Sequence, residues 1–264
     1  METVKNIAIL VWALKSGGAE RIAGLLSVNL SKQYNVYLFV WDTSDIVYEY
    51  GGTLVDVSGK DMEGVEKNIK EKKSELKIDC SISFLTGAND LNLRLRVNDK
   101  IIVSERCAHS PNIFFNACMN SGLWNNYRAA DVIVAASHGI SYDLKKNIGI
   151  EDVPIKVIYN YVDKQGIIEK AKNDLDEELK SFIGNSNIIL NVGRLDAQKN
   201  QSELIVQFAR LLKIRKDIKL IILGSGPLKE RLRNQIYELN LQEYAKLIPF
   251  DSNPFPLYRI ADIY

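Results

Sequence analysis

Short apolar runs alternate with longer amphipathic stretches along most of this chain, a rhythm that predicts a parallel sheet covered by helices. In the first half, strands are expected over Val4–Val11, Asn35–Trp41, Thr53–Val57, Ile78–Phe84, Lys100–Ser104, Val132–Ala135 and Ile155–Ile158. A helix over Ala19–Ser31 places Ile22, Leu25, Leu26 and Leu30 on one stripe. The stretch Asp61–Lys77 reads as a polar surface helix whose lysines form either a solvated face or a contact for anionic lipid headgroups. The texture changes after Ile158. Residues Val162–Ser186 are charged and weakly apolar, as an interdomain connection followed by a helix leading into a second sheet would be. That sheet is expected to hold strands Ile188–Val192, Lys219–Leu223 and Lys246–Phe250, with helices at about Gln201–Lys213 and Pro227–Leu239 between them. The last residues, Ile263 and Tyr264, read as the opening of a further strand. The fold class is therefore α/β, with one parallel-sheet domain over 1–162 and a second, incomplete one over 163–264.

Composition narrows the class. With 264 residues, 46% hydrophobic and 25% charged, the chain can bury two ordinary cores and is not disordered. Lys plus Arg number 34 against 33 Asp plus Glu, a net charge of +1, so no overall field favours nucleic acid. The odd set Cys80, Cys107 and Cys118 lacks the C-x-x-C spacing of a zinc knuckle or redox pair and suits a reducing cytosol. The apolar run Ile7–Leu14 is too short to span a bilayer and reads as a buried strand, so any membrane contact is expected to be peripheral.

In open parallel sheets ligands bind beyond the carboxyl ends of the strands, and three loops there stand out. Gly17 and Gly18 follow the first strand just before a helix, where they serve either as a close-approach site for an anion at the helix amides or as a simple turn. NVGRLDAQKN opens the second domain in the same manner: Gly193 ends a strand, Arg194 offers a planar fork to phosphate oxygens, and Lys199 adds a compact charge before the next helix. Together they fit a diphosphate, although each alone also fits a surface charge. The turn Gly224-x-Gly226-Pro227 lacks the full G-x-G-x-x-G, so NAD is not inferred. It is either a backbone approach to a base or ribose or a tight turn.

GGAER (17–21), YRAADVIVAAS (127–137), VIYNYVD (157–163), NVGRLDAQKN (191–200), LGSGPL (223–228) and NPFPLYRIADIY (253–264) together resemble the retaining GT-B glycosyltransferases of family 4, the glycosyl transferases group 1. The likeness covers nearly the whole chain. SERCAHSP (104–111) looks like the bacterial capsule and O-antigen branch. The resemblance implies two Rossmann-like domains facing across a cleft, the first holding the acceptor and the second a nucleotide sugar. Arg194 and Lys199 match the family residues that bind the donor diphosphate. Gly17 and Gly18 match the loop approaching the same phosphates, while Gly193, Gly224, Gly226, Pro249 and Phe250 match donor-side loops. His109 stands roughly where relatives carry a polar group near the transferred sugar, or else is an exposed loop histidine. Glu105 and Arg106 fall in the acceptor-side motif, or form a structural ion pair. No cofactor and no bound metal are implied; the only D-x-D, Asp174 and Asp176, is placed in the connecting helix as a cap.

The resemblance further implies transfer of a hexose or N-acetylhexosamine, with retention, from a nucleotide sugar such as a UDP sugar. The acceptor would be a lipid-linked oligosaccharide or polysaccharide precursor, met in the cytoplasm or at the inner membrane face. Relatives continue past A-D-I-Y into an E-x7-E loop and a closing helix. Their absence from the sequence points to a fragment, to a partner chain that supplies them, or to an inactive nucleotide-sugar-binding or partner subunit. A nicotinamide-dependent enzyme is the remaining class, and thermal protection by NADH against a UDP sugar separates the two.

Overall fold

The computed structural model describes residues 5–15, 17–110 and 123–264; Val4, Pro111 and Cys118 lie outside them. The chain divides into two compact units, Met1–Tyr161 and Val162–Tyr264.

The first unit is built on strands β1 (Asn6–Ala13), β2 (Asn35–Asp42), β3 (Thr53–Asp56), β4 (Cys80–Phe84), β5 (Lys100–Glu105), β6 (Val132–Ala135) and β7 (Ile155–Val157). They form one parallel sheet in the order β3-β2-β1-β4-β5-β6-β7. Strand β1 is central, with Ile9 opposite Leu38 on one side and Ile82 on the other. Ile7 to Val11 are all buried, which explains why the run is unbroken rather than alternating. Sequence neighbours β1 and β2 lie side by side, whereas β4 returns on the far flank of β1, so the winding reverses between β1 and β4. That reversal is where an open α/β sheet leaves a crevice beyond its carboxyl edge.

Helix α1 (Gly18–Leu30) corrects the expected stripe. Its fully buried positions are Ala19, Ala23, Gly24 and Ser27, with Ile22, Leu26 and Leu30 partly buried beside them and Leu25 outside the cluster. Small residues win because the 48–51 segment lies directly on the helix: a Cβ at Gly24 would come within 2.4 Å of the Glu49 carbonyl.

Helix α2 (Met62–Glu75) starts where expected, with the Asp61 carboxylate accepting from the Gly64 N–H at 2.9 Å. It is not wholly a surface element. Val65, Ile69 and Lys73, four residues apart, all face inward. Lys73 is fully buried and pairs with Asp99 at 2.8 Å, also donating to Asn92 Oδ1 at 2.9 Å. Ser81 donates to the same Asp99 carboxylate. Burial lowers the Lys73 pKa, and the Asp99 charge opposes that shift.

The second unit holds β8 (Asn187–Val192), β9 (Ile218–Leu223) and β10 (Ala245–Ile248), parallel and in the order β10-β9-β8. Along β9 the side chains alternate between two cores: Leu220 and Ile222 pack with Ile205, Phe208 and Leu232, while Ile221 and Leu223 pack with Leu179, Leu190 and Leu257. The expected further strand is present in outline. Ile263 bridges Ile189 in parallel, and Leu190 N–H donates to the Ile263 carbonyl at 2.8 Å. The connection holds two short helices, Lys164–Lys170 and Glu177–Ile183, where a single helix was expected. Asp174 and Asp176 lie before the second helix rather than within it, and Asp176 caps it by accepting from Leu179 N–H at 2.7 Å. Among the described residues, no helix is long and apolar enough to cross a membrane.

Candidate active site

Each unit gathers its unusual residues at the carboxyl edge of its sheet. In the second unit, β8 runs into Gly193 and Arg194, and Asp196 organises the turn beyond them. Its carboxylate accepts from the Lys199 N–H at 3.2 Å, capping the 3-10 turn Ala197–Lys199, and it also holds the Arg194 Nε. The Arg194 carbonyl accepts from Nε2 of the buried Gln201 at 3.0 Å, fixing the loop from below. Arg194 keeps 68% of its side chain exposed, and the Lys199 stem lies over Gly193, whose Cβ position is 3.7 Å from it. Two cations are thus presented outward from a loop held by side chains beneath it.

The Gly224–Gly226 turn is stitched to that loop. Leu195 N–H donates to the Ser225 carbonyl at 2.9 Å, and Leu228 N–H to the Leu195 carbonyl at 3.1 Å. A Cβ on Gly224 would lie 1.9 Å from the Gly193 carbonyl oxygen, and one on Gly226, whose φ is +156°, 2.4 Å from that of Leu195. The backbone that demands these glycines is therefore the neighbouring loop. Gly224 N–H also donates to the Ile248 carbonyl at 3.0 Å, which brings the exposed Pro249 and half-buried Phe250 to the same edge.

In the first unit, Gly17 caps α1 with φ +130°, and its N–H donates to the Tyr48 hydroxyl at 3.2 Å. A Cβ there would meet the Glu20 carboxylate at 2.3 Å, whereas the space beside Gly18 is open. Glu20 curls back over the helix start on the Gly17 side.

The Ser104–Ser110 segment carries the densest chemistry. Glu105 is fully buried, and its Oε1 accepts from the Tyr127 hydroxyl and from Asn89 Nδ2, the latter at 2.9 Å. Its Oε2 lies 2.8 Å from His109 Nε2. His109 is not an exposed loop residue: it is 8% exposed, with its ring 4.7 Å from that of Trp124. The Asp143 carboxylate pins the loop by accepting from His109 N–H at 2.7 Å, Ser110 N–H at 3.2 Å, Asn147 Nδ2 at 2.7 Å and the Ser110 hydroxyl. Burial raises the Asp143 pKa, but these donors outweigh it and hold the carboxyl below the usual range. A Glu105–Arg106 ion pair does not form. Arg106 turns away, stacks 4.8 Å over Phe84 and donates to Asn160 at 2.6 Å, and burial lowers its pKa. Its buried Nε has no hydrogen-bond partner among the described residues. Partial desolvation of the sulfur, reinforced by the Glu105 and Asp143 charges, pushes the thiol of the otherwise exposed Cys107 up.

Sequence reasoning missed Asp196, Gln201, Asn89, Tyr127 and Asp143. Tyr127 opens the motif YRAADVIVAAS, but its hydroxyl has no local signature. Leu85 was also missed: it precedes the helix α3 (Thr86–Arg94) with φ +71°, a left-handed backbone on a branched residue at the β1/β4 reversal.

Comparison with known proteins supplies the class. The family profile described as Glycosyl transferases group 1 matches residues 173–264. The chain is 33% identical, over 96% of its length and 71% of the relative's, to the N-acetylgalactosamine-N,N'-diacetylbacillosaminyl-diphospho-undecaprenol 4-alpha-N-acetylgalactosaminyltransferase of Campylobacter jejuni subsp. jejuni. It is 24% identical to a second transferase of that organism, a GalNAc-alpha-(1->4)-GalNAc-alpha-(1->3)-diNAcBac-PP-undecaprenol alpha-1,4-N-acetyl-D-galactosaminyltransferase, covering 90% of this chain and 66% of that one. Among solved structures, Anabaena Alr3699/HepE in complex with UDP-glucose superposes with a TM-score of 0.80 at 17% identity, covering 97% of this chain and 72% of the other, a likeness of fold. The chain belongs to the glycosyl transferases group 1 family and is a glycosyltransferase of the GT-B fold.

Proposed function

We propose that this protein transfers an N-acetylhexosamine or hexose, with retention, from a UDP sugar to an undecaprenyl-diphosphate-linked oligosaccharide, as a retaining family 4 enzyme of surface-polysaccharide assembly. The observation that carries the reading is the 33% identity across 96% of the chain to a transferase whose name specifies a diphospho-undecaprenol acceptor. The solved neighbours with UDP or UDP-glucose bound support a uridine diphosphate donor. Breaking the sugar–phosphate bond puts negative charge on the departing diphosphate. Arg194 and Lys199 neutralise it as it develops, and no metal is required for that step. Asp196 and Gln201 hold the loop so that little reorganisation is needed when the charge appears. An acceptor on a lipid carrier requires the enzyme to work at the cytoplasmic membrane face, reached by a peripheral contact.

The test is incubation of the chain with UDP-N-acetylgalactosamine, UDP-N-acetylglucosamine or UDP-glucose and an undecaprenyl-diphosphate disaccharide, with products read by mass. One added sugar from one donor is expected, and Arg194→Ala should reduce turnover by about a hundredfold or more. Turnover unaffected by that substitution would remove Arg194 from the reacting centre. Binding of UDP without transfer would indicate a nucleotide-sugar-binding subunit.

A further inference from the structure

The end of β5 and the loop behind it bring together three side chains of different ligand character, one of which the transfer chemistry leaves unused. Glu105, Cys107 and His109 stand at alternate positions, and a carboxylate oxygen, the thiol sulfur and a ring nitrogen all lie within 4.8 Å of one another. Two of the three are built into the interior, Glu105 completely and His109 to more than nine-tenths. Cys107 is the exposed member of the three.

The two buried ligands are held from behind. The Tyr127 hydroxyl and Asn89 amide occupy Glu105 Oε1, which leaves Oε2 turned toward the imidazole. His109 is fixed by the tilted ring of Trp124 packed against it and by the grip of Asp143 on its backbone N–H. Outer partners of this kind are what orient the ligands of metal sites. The nearest charges are also suited to a cation: the carboxylates of Glu105 and Asp143 flank the loop, whereas the adjacent Arg106 points to Phe84 and Asn160.

We propose that Glu105, Cys107 and His109 form a three-ligand site for a thiophilic divalent cation of the zinc type, with a fourth position open beside Cys107. The donor set of one nitrogen, one oxygen and one sulfur is that of a borderline-soft ion with tetrahedral preference, not of magnesium or calcium, which take oxygen. Binding displaces the proton shared by Glu105 Oε2 and His109 Nε2, together with the thiol proton. The oxygen and nitrogen, 2.8 Å apart, open slightly to accept metal bonds of about 2.0–2.2 Å. Nothing in this site depends on the reading of Arg194 and Lys199, which serve a separate loop.

The probe is cobalt(II), titrated into the full chain carrying Cys80→Ser and Cys118→Ser, so that a single thiol remains. One equivalent should produce a thiolate-to-cobalt charge-transfer band with tetrahedral ligand-field absorption, and zinc should bleach both. Cys107→Ser, a change at an exposed position, should abolish the band. Tyr127→Phe should weaken binding by about 10–100-fold without removing a ligand. His109→Gln should weaken it by at least as much, with circular dichroism recorded to show that the variant is folded. No thiolate band at one equivalent, or tetrahedral ligand-field absorption with unchanged cobalt affinity in Cys107→Ser, overturns the proposal. Unchanged affinity in folded His109→Gln also overturns it, by leaving the thiol as sole anchor.

Discussion

Lys73 illustrates what a single residue can hide. Its helix reads as one more solvated Lys- and Glu-rich surface, because the partner that draws it inward, Asp99, lies on a different element and leaves no mark in the local pattern. Removing one member of a buried pair strands the other charge, which costs about 3–5 kcal/mol, whereas replacing both groups by uncharged ones costs far less. Lys73→Met should therefore lower the unfolding free energy measured by urea titration by an amount in that range, and Lys73→Met with Asp99→Asn should recover much of it. If the single variant were as stable as the parent protein, the pair would not be desolvated. Glu105 and His109 teach the same lesson at the site. The S-E-R motif marked the segment, but its obvious charge pair, Glu105 with Arg106, does not form. The buried carboxylate instead takes Tyr127, Asn89 and His109, none adjacent to it in the chain.

At the scale of elements, legibility depended on whether the determining interaction was local. Strand runs and helix caps are local, and the strands were readable to within a few residues, as was the start of the helix capped by Asp61. Glycines were not separable, since Gly17-Gly18 and Gly224-x-Gly226 look alike as turns between strand and helix. The structure divides them by what a side chain would meet. Gly224 faces the Gly193 carbonyl, so Gly224→Ala must push the Arg194 loop away. It should weaken UDP binding by about tenfold or more, an energy of about 1.4 kcal/mol, while leaving the helical content intact. Gly18 sits in open space at a helical position. Gly18→Ala should leave the fold as stable or raise stability by about 0.4–1 kcal/mol. Calorimetric titration of both variants checks the pair, and equal losses in the two would mean that steric demand at Gly224 is not what shapes the loop.

For the molecule as a whole, the two units carry their cores separately: among the described residues, three buried clusters lie within Met1–Tyr161 and two within Val162–Tyr264. The expected diphosphate ligands, Arg194 and Lys199, belong to the second. A ligand that binds only the folded state stabilises what it binds by RT ln(1 + [L]/Kd), about 2.7 kcal/mol at a hundredfold excess over Kd. UDP at that excess should raise the stability of the second unit by this amount. The unit can be followed by Leu220→Ala, which empties a fully buried position on β9 and should cost about 2–5 kcal/mol. The transition lowered by that substitution is the one UDP must raise, and Arg194→Ala should erase most of the rise while leaving the transition of the unliganded protein in place, because the Arg194 side chain is mostly exposed and buries little. A UDP effect confined to the other transition would move the nucleotide site to the first unit. An effect that persists in Arg194→Ala would assign the diphosphate to other donors of the same unit, with Lys199 as the first group to examine.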